Sequence, residues 1–226
     1  MEQTRRWQVY ATPAALAAAA VAAIVAAASA AIAERGAFHL VLAGGTTPKE
    51  VYRLLAAAAQ DWRRWHVYYG DERCLPADHA ERNSRMAEEA WLSRVDLPAA
   101  QIHAIAAERG ATAAAADYAR LLADLGPFDL VLLGLGEDGH TASLFPGKFA
   151  VDEASAAVAV FDAPKPPPQR VTLSARRLSA ARQVIFLVTG AGKAAAVAAW
   201  RRGEAIPAAA IAPAAGVDIY LEQLLA

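Results

Sequence analysis

The sequence predicts an α/β protein: one domain, residues 1–226, built on an open, mostly parallel sheet with helices on both faces. Three observations carry this. Strand-like and helix-like segments alternate along nearly the whole chain, an order that calls for right-handed crossovers within one parallel sheet. Two of the strand-like segments, Phe38-His39-Leu40-Val41-Leu42 and Leu130-Val131-Leu132-Leu133, are near-continuous apolar runs, as expected of strands covered on both faces. No linker divides the 226 residues, a length that suits one core without staples.

Taken in order, a strand at 7–11 is followed by a helix at 13–34. That helix is uncharged from Ala14 to Ala33 and follows Arg5 and Arg6, so a secretory signal or membrane span has to be weighed. Its strong apolar groups are only Leu16, Val21, Ile24, Val25 and Ile32, too few to drive insertion. Their near-helical spacing marks one buried stripe instead. Then come a strand at 38–43, a helix at 48–59, a strand at 65–69, a helix at 83–94, a strand at 102–105 and a helix at 112–125. Strands at 128–133, 157–161, 170–173 and 184–188 follow. A helix at 191–201, a short one near Ala208 and a strand at 217–221 complete the chain. The Pro-rich stretch Ala163-Pro164-Lys165-Pro166-Pro167-Pro168 reads as a stiff loop before Arg170.

Composition excludes several classes. Hydrophobic residues make up 56%, but about sixty are alanine, the best helix former and a weak hydrophobe. Lys+Arg is 22 against 23 Asp+Glu, for a net charge of −1, so neither nucleic acid nor a membrane is an expected partner. Any cationic site must be a local cluster. One cysteine, Cys74, excludes an internal disulfide and a cysteine-rich zinc site and fits a reducing cytoplasm.

Ligands of open α/β sheets bind beyond the carboxyl ends of the strands, where this sequence carries unusual residues. Gly44-Gly45-Thr46-Thr47-Pro48 lets backbone approach a ligand closely and starts a helix, which is an anion-binding arrangement; it also reads as a plain capped turn. Gly70-Asp71-Glu72-Arg73 sets two acids and an arginine at a strand end, either as site residues or as a solvated turn with a surface ion pair. Gly134-Leu135-Gly136-Glu137-Asp138-Gly139-His140 formally contains G-x-G-x-x-G. It lies mid-chain and runs into Phe145-Pro146-Gly147, which argues against a dinucleotide. Its informative residue is His140 beside Asp138, an imidazole suited to proton transfer with a carboxylate to fix its tautomer. Thr189-Gly190-Ala191-Gly192-Lys193 fails as a P-loop, because Leu187 and Ala194 stand at required positions. Lys193 still suits a phosphate, and Arg170 is a further cation. His39, His66, His79 and His103 lack metal-ligand spacing and read as core or surface residues. Cys74 has no histidine beside it in sequence and reads as non-catalytic. The tryptophans read as packing groups.

In this order the motifs resemble the 6-phosphogluconolactonase branch of the glucosamine-6-phosphate isomerase/6-phosphogluconolactonase superfamily. The matching stretches are 42–48, 70–73, Arg82-Asn83-Ser84, 134–147, Arg170-Val171-Thr172 and 190–193. The Gly-x-Gly-x-Asp-Gly-His-Thr-Ala-Ser-Leu-Phe-Pro string is the specific one. The resemblance implies a Rossmann-like sheet and hydrolysis of 6-phosphoglucono-δ-lactone, with no cofactor and no required metal. It implies His140 as catalytic base; Asp138, Asp71 or Glu72 is left to orient its ring. It implies Arg73 as an active-site arginine and Gly44, Gly45, Thr46, Arg170 and Lys193 as a phosphate cradle. Arg73 or a glycine amide of the 134–139 loop is left to stabilise the oxyanion. A monomer or small homo-oligomer is expected.

The deaminase branch carries a glutamate five residues after the histidine, where this chain has Phe145, and an aromatic residue where it has Arg73. Isomerisation with deamination therefore loses an acid. A non-catalytic sugar-phosphate effector module would carry a DNA-binding segment, for which the first strand near Trp7 leaves no room.

Overall fold

The computed structural model describes residues 3–151 and 153–226. The elements are β1 (Arg5–Tyr10), α1 (Pro13–Arg35), β2 (Phe38–Leu42), α2 (Thr46–Leu55), β3 (Trp65–Tyr69), β4 (Asp71–Arg73), α3 (Asn83–Ala90), β5 (Ile102–His103), α4 (Ala111–Leu121) and β6 (Phe128–Gly134), then β7 (Ala157–Val160), β8 (Arg170–Leu173), α5 (Ala175–Ser179), β9 (Ala181–Val188), α6 (Ala194–Arg201) and β10 (Val217–Glu222). Seven strands form one sheet in the order β1-β10-β9-β6-β2-β3-β5, and every neighbouring pair in it is parallel. The expected Rossmann-like α/β sheet is therefore present. Its apolar strands are sealed: Leu40, Val41, Leu130, Val131 and Leu132 are all fully buried.

Helix α1 packs on this sheet and on α2. Thr12 caps it, its side chain accepting from the Ala15 amide, and Gly36 ends it at φ +81°. The helix is long and apolar enough to span a membrane by length and composition alone. The buried face departs from the expected stripe. Leu16 and Ile24 are fully buried, but the rest of that face is Ala17, Ala20, Ala28 and Ala31. Val21, Val25 and Ile32 sit at its margins, partly buried against the core. Small alanines let the helix lie close to the strands, so packing rather than side-chain size sets this contact.

A second sheet of three antiparallel strands, β4-β8-β7, was not expected. At Gly70 the chain leaves the large sheet for the small one: its N–H donates to the Leu42 carbonyl (3.0 Å) and its carbonyl accepts from the Leu173 N–H (2.8 Å). A Cβ there would stand 3.3 Å from the Leu42 oxygen. The short α5 was also unforeseen; Ser174 caps it. Helix α2 begins two residues earlier than expected and stops at Leu55, and the expected helix at 83–94 is broken at Trp91 before a 3₁₀ turn. Trp62 and Trp65 each pack edge-on against Trp91 and tilted against one another, with Phe38 edge-on to Trp65, as packing groups should.

From the sheet's middle, β2–β3–β5 runs outward one way and β6–β9–β10 the other. Loops leaving β2 and β6 diverge, which opens a crevice at the carboxyl ends.

On adjacent strands, His39 stacks on His66 (4.8 Å) and His103 on Tyr68 (4.4 Å). His66 Nδ1 lies 3.2 Å from His103 Nε2, and His39 Nδ1 lies 3.1 Å from the Tyr68 hydroxyl. Burial lowers all three imidazole pKa values, and the histidines lower those of His39 and His103 further by mutual repulsion. Around His39, Asp129 opposes the shift while Arg177 and Arg35 add to it. Folding thus favours the neutral rings. Their contribution is complete above about pH 6.5 and is lost as pH falls below that, because the unfolded chain takes up protons first. Melting temperature should drop between pH 7 and pH 5, and His66→Phe should flatten that drop. An unchanged slope in the variant would count against the cluster as its source.

Candidate active site

A cavity of about 320 Å³ opens beyond the carboxyl ends of β2, β3, β6 and β9. Its wall includes Gly44, Gly45, Asp71, Arg73, His140, Arg170 and Lys193, seven of the nine residues singled out from sequence. Asp138 stands behind the wall, against His140. Thr46 is off the wall: it is the exposed first residue of α2. Its neighbour Thr47 does the local work, its hydroxyl lying 2.6 Å from that of Thr189 and tying the start of α2 to the end of β9.

His140 is held by a tight loop after β6. Gly136 N–H donates to the His140 carbonyl (2.7 Å), and Gly139, at φ +81°, donates to the Gly136 carbonyl (3.1 Å). One oxygen of Asp138 accepts from the His140 backbone N–H (3.1 Å) and meets ring Nδ1 at 2.5 Å. A carboxylate on Nδ1 selects the Nδ1–H tautomer and leaves the Nε2 lone pair free. Burial raises the Asp138 pKa, but the hydrogen bonds from the His140 ring and backbone outweigh it and hold the carboxyl below its usual range. Gly136 is required here, since a Cβ would lie 1.9 Å from Nδ1. Phe145 packs its buried ring 4.8 Å from the imidazole.

The Asp71-Glu72-Arg73 run is neither a turn nor a surface ion pair. It is strand β4, and its two acids are buried. Asp71 does not touch His140: its oxygens accept from Asn83 Nδ2 (2.9 Å) and Ser143 Oγ (2.6 Å). Of the acids left to orient the ring, Asp138 is the one in contact. Glu72 accepts from the backbone N–H groups of Arg73, Asn83 and Ser84, each at 2.8 Å, with Arg82 at 3.4 Å. It caps the start of α3 from outside that helix. Arg73 gives one Nη to the Glu81 carbonyl and keeps a buried Nε without a partner. The Gly136 and Gly139 amides are both engaged within their loop, so between those glycines and Arg73 the unpartnered donor is Arg73.

Arg170 is buried and spans the Pro-rich loop, with Nε on the Pro167 carbonyl (3.1 Å) and Nη2 on those of Lys165 (3.0 Å) and Pro166 (3.1 Å). Burial lowers its pKa, nearby Asp71 opposes that shift and Arg73 adds to it. Lys193 ends the 3₁₀ turn Ala191–Lys193 and has no side-chain partner among the described residues. Lys165 and Asn83 also line the cavity, though sequence reasoning gave neither a role. Asn83 had a signal, its place in a matched stretch; Lys165 had none beyond its charge in a proline loop. The Asn83 side chain fills the space a Cβ on Gly44 would need. Cys74 lies off the wall, and burial pushes its thiol pKa up.

A family model described as glucosamine-6-phosphate isomerases/6-phosphogluconolactonase matches residues 11–220. The chain is 44% identical over 183 residues to the 6-phosphogluconolactonase of Mycobacterium tuberculosis, covering 74% of each protein. It is 41% identical over 184 residues to the probable 6-phosphogluconolactonase 3, chloroplastic, of Oryza sativa, covering 74% of this chain and 56% of that one. The chain thus spans little more than half the length of that plant relative. Among solved structures, 6-phosphogluconolactonase from Trypanosoma brucei superposes with a TM-score of 0.87 at 32% identity, covering 99% of this chain and 98% of the other.

Glu72 anchors the cavity floor without facing it, so its removal should act on stability. Glu72→Ala leaves three backbone amides unpaired and takes one of two carboxylates from buried Arg82, which keeps Glu108, and should cost about 3–5 kcal/mol in urea denaturation. Exposed Glu81→Ala should stay within about 0.5 kcal/mol of the parent. Equal effects would remove the capping role.

Proposed function

The chain belongs to the glucosamine-6-phosphate isomerase/6-phosphogluconolactonase family, and from that premise we propose that it hydrolyses 6-phospho-D-glucono-1,5-lactone to 6-phosphogluconate, the second step of the oxidative pentose phosphate pathway. The observation that carries this reading is His140, its Nδ1 held by Asp138 and its ring on the wall of a cavity that also holds Lys193 and Arg170.

A lactone is an activated acyl group, and the site must supply a base, a positioned carbonyl and a place for negative charge. His140 Nε2 takes a proton from water as the water oxygen bonds to C1. The carbonyl electron pair moves onto oxygen, where the guanidinium of Arg73, a residue of the cavity wall, meets it. The tetrahedral intermediate then collapses: the bond from C1 to the ring oxygen breaks, and the imidazolium gives its proton to that oxygen. Asp138 holds the tautomer throughout and stabilises the imidazolium. General acid–base help of this kind contributes about 10²–10⁴ in rate. No electrons leave or enter the substrate, so the step draws on no redox cofactor.

The phosphate lies at the far end of the substrate and serves orientation. Lys193, the Gly44–Gly45 turn and Arg170 supply its binding surface, and each charge-assisted hydrogen bond contributes about 1.5–3 kcal/mol. Phe145 bears on the choice between branches. An apolar ring against His140 replaces the acid that ring opening and deamination need. A cytoplasmic setting goes with this reading, since the single thiol Cys74 suits a reducing compartment.

Glucose-6-phosphate dehydrogenase can make the lactone in place, with its disappearance followed with and without the protein. The parent should accelerate hydrolysis, and His140→Ala should lower turnover by at least about a hundredfold. Gly136→Ala, whose new carbon would lie 1.9 Å from Nδ1, should fall in the same direction. Parent-like turnover in His140→Ala would remove the base from this account. Ammonia release from glucosamine 6-phosphate would replace it with the deaminase.

A further inference from the structure

On the reading that the cavity takes a phosphorylated lactone, we propose that Lys165 is a further phosphate-binding side chain. Glu137 holds it in the free enzyme, and the phosphate takes it over when substrate binds.

Lys165 lines the cavity, as Lys193 does. Its backbone is pinned, because buried Arg170 grips the carbonyls of residues 165, 166 and 167. Arg170 spends Nε and Nη2 in doing so. The mobile positive charge on that side of the cavity is therefore the Lys165 ammonium, on a four-carbon stem above a fixed base.

The ionic partner of that ammonium is Glu137 Oε2, at 3.8 Å, and the two side chains are 53% and 62% exposed. A long, solvated pair of this kind contributes little and exchanges readily. Glu137 also reaches the other cationic loop: its Oε1 lies 3.1 Å from where a Cβ on Gly192 would stand, beside Lys193. One carboxylate thus lies between the loops of Lys165 and Lys193, and it comes from the loop that carries His140.

Charge decides the exchange. A phosphate monoester carries about −1.5 to −2 at neutral pH and offers three acceptor oxygens, against one charge on a carboxylate. The ester therefore displaces Glu137 from Lys165 and closes a cation on each side of itself. An uncharged lactone cannot, and Lys165 then stays with Glu137.

The test compares kcat/KM for the phosphorylated lactone with that for glucono-1,5-lactone, and uses the ratio. Lys165→Ala should lower the ratio about tenfold, the loss of one charge-assisted contact. Glu137→Gln should raise it about two- to threefold, the release of one exposed ion pair. In the Lys165→Ala background, Glu137→Gln should do nothing to the ratio, because the held partner is gone. A ratio within twofold of the parent in Lys165→Ala overturns the proposal. So does a Glu137→Gln gain of equal size in both backgrounds, which would mean plain repulsion rather than exchange.

Calorimetry with inorganic phosphate separates this claim from the activity. If the parent hydrolyses no lactone but loses about tenfold in phosphate affinity on Lys165→Ala, the activity reading fails and the anion site stands. Normal hydrolysis with affinity and ratio both unmoved overturns the anion site alone.

Discussion

The contact between Asp138 and His140 Nδ1 organises the cavity. A carboxylate 2.5 Å from Nδ1 engages that ring nitrogen and leaves Nε2 as the free one. Much of the surrounding loop serves that contact. Gly136 leaves room for the ring, and Gly139 supplies the backward turn. Thr141 Oγ1 ties the loop back to the carbonyl of Gly134, at the end of β6 (2.8 Å). A loop on its own is a poor platform for chemistry, but this one is anchored to the middle of a parallel sheet.

The rest of the cavity separates two kinds of charge. Its acids are used up inside the protein: Asp71 by Asn83 and Ser143, and Glu72 by three backbone amides and Arg82. Its cations are left available or half-engaged. Arg73 lies on the wall with only one Nη bonded, to the Glu81 carbonyl, and Lys193 stands without a partner, among the described residues. A chain with net charge −1 thus presents a locally positive surface by burying its carboxylates in hydrogen bonds. Focusing of this kind favours anionic ligands without a basic composition.

The large sheet was legible because its strands are long apolar runs between glycine-rich ends. The 38–42 and 128–134 segments could scarcely be anything else. Strand β4 was not legible. Asp71, Glu72 and Arg73 are poor strand formers, and what makes them a strand is pairing with Val171 and its neighbours, about a hundred residues on. The partner of Glu72, the start of α3, is equally remote from a three-residue motif. Within the site, His140 and Asp138 were readable because they are neighbours in sequence. The choice between Asp138 and Asp71 was not, since both spacings permit it and only the fold sends Asp71 to Asn83 and Ser143. Thr46 looked like a direct phosphate ligand but lies off the cavity wall, and Arg170 reaches that wall with part of its guanidinium committed to the proline loop. Lys165 owes its place in the cavity to that loop.

The account turns on which nitrogen of His140 carries the proton. Nitrogen-15 NMR of the ring, at a pH where the imidazole is neutral, tests it most directly. The account requires the proton on Nδ1 and a bare Nε2, with that preference weakened when Asp138 is changed to Asn. A proton resident on Nε2 in the parent protein would contradict it, because no lone pair would then face the water.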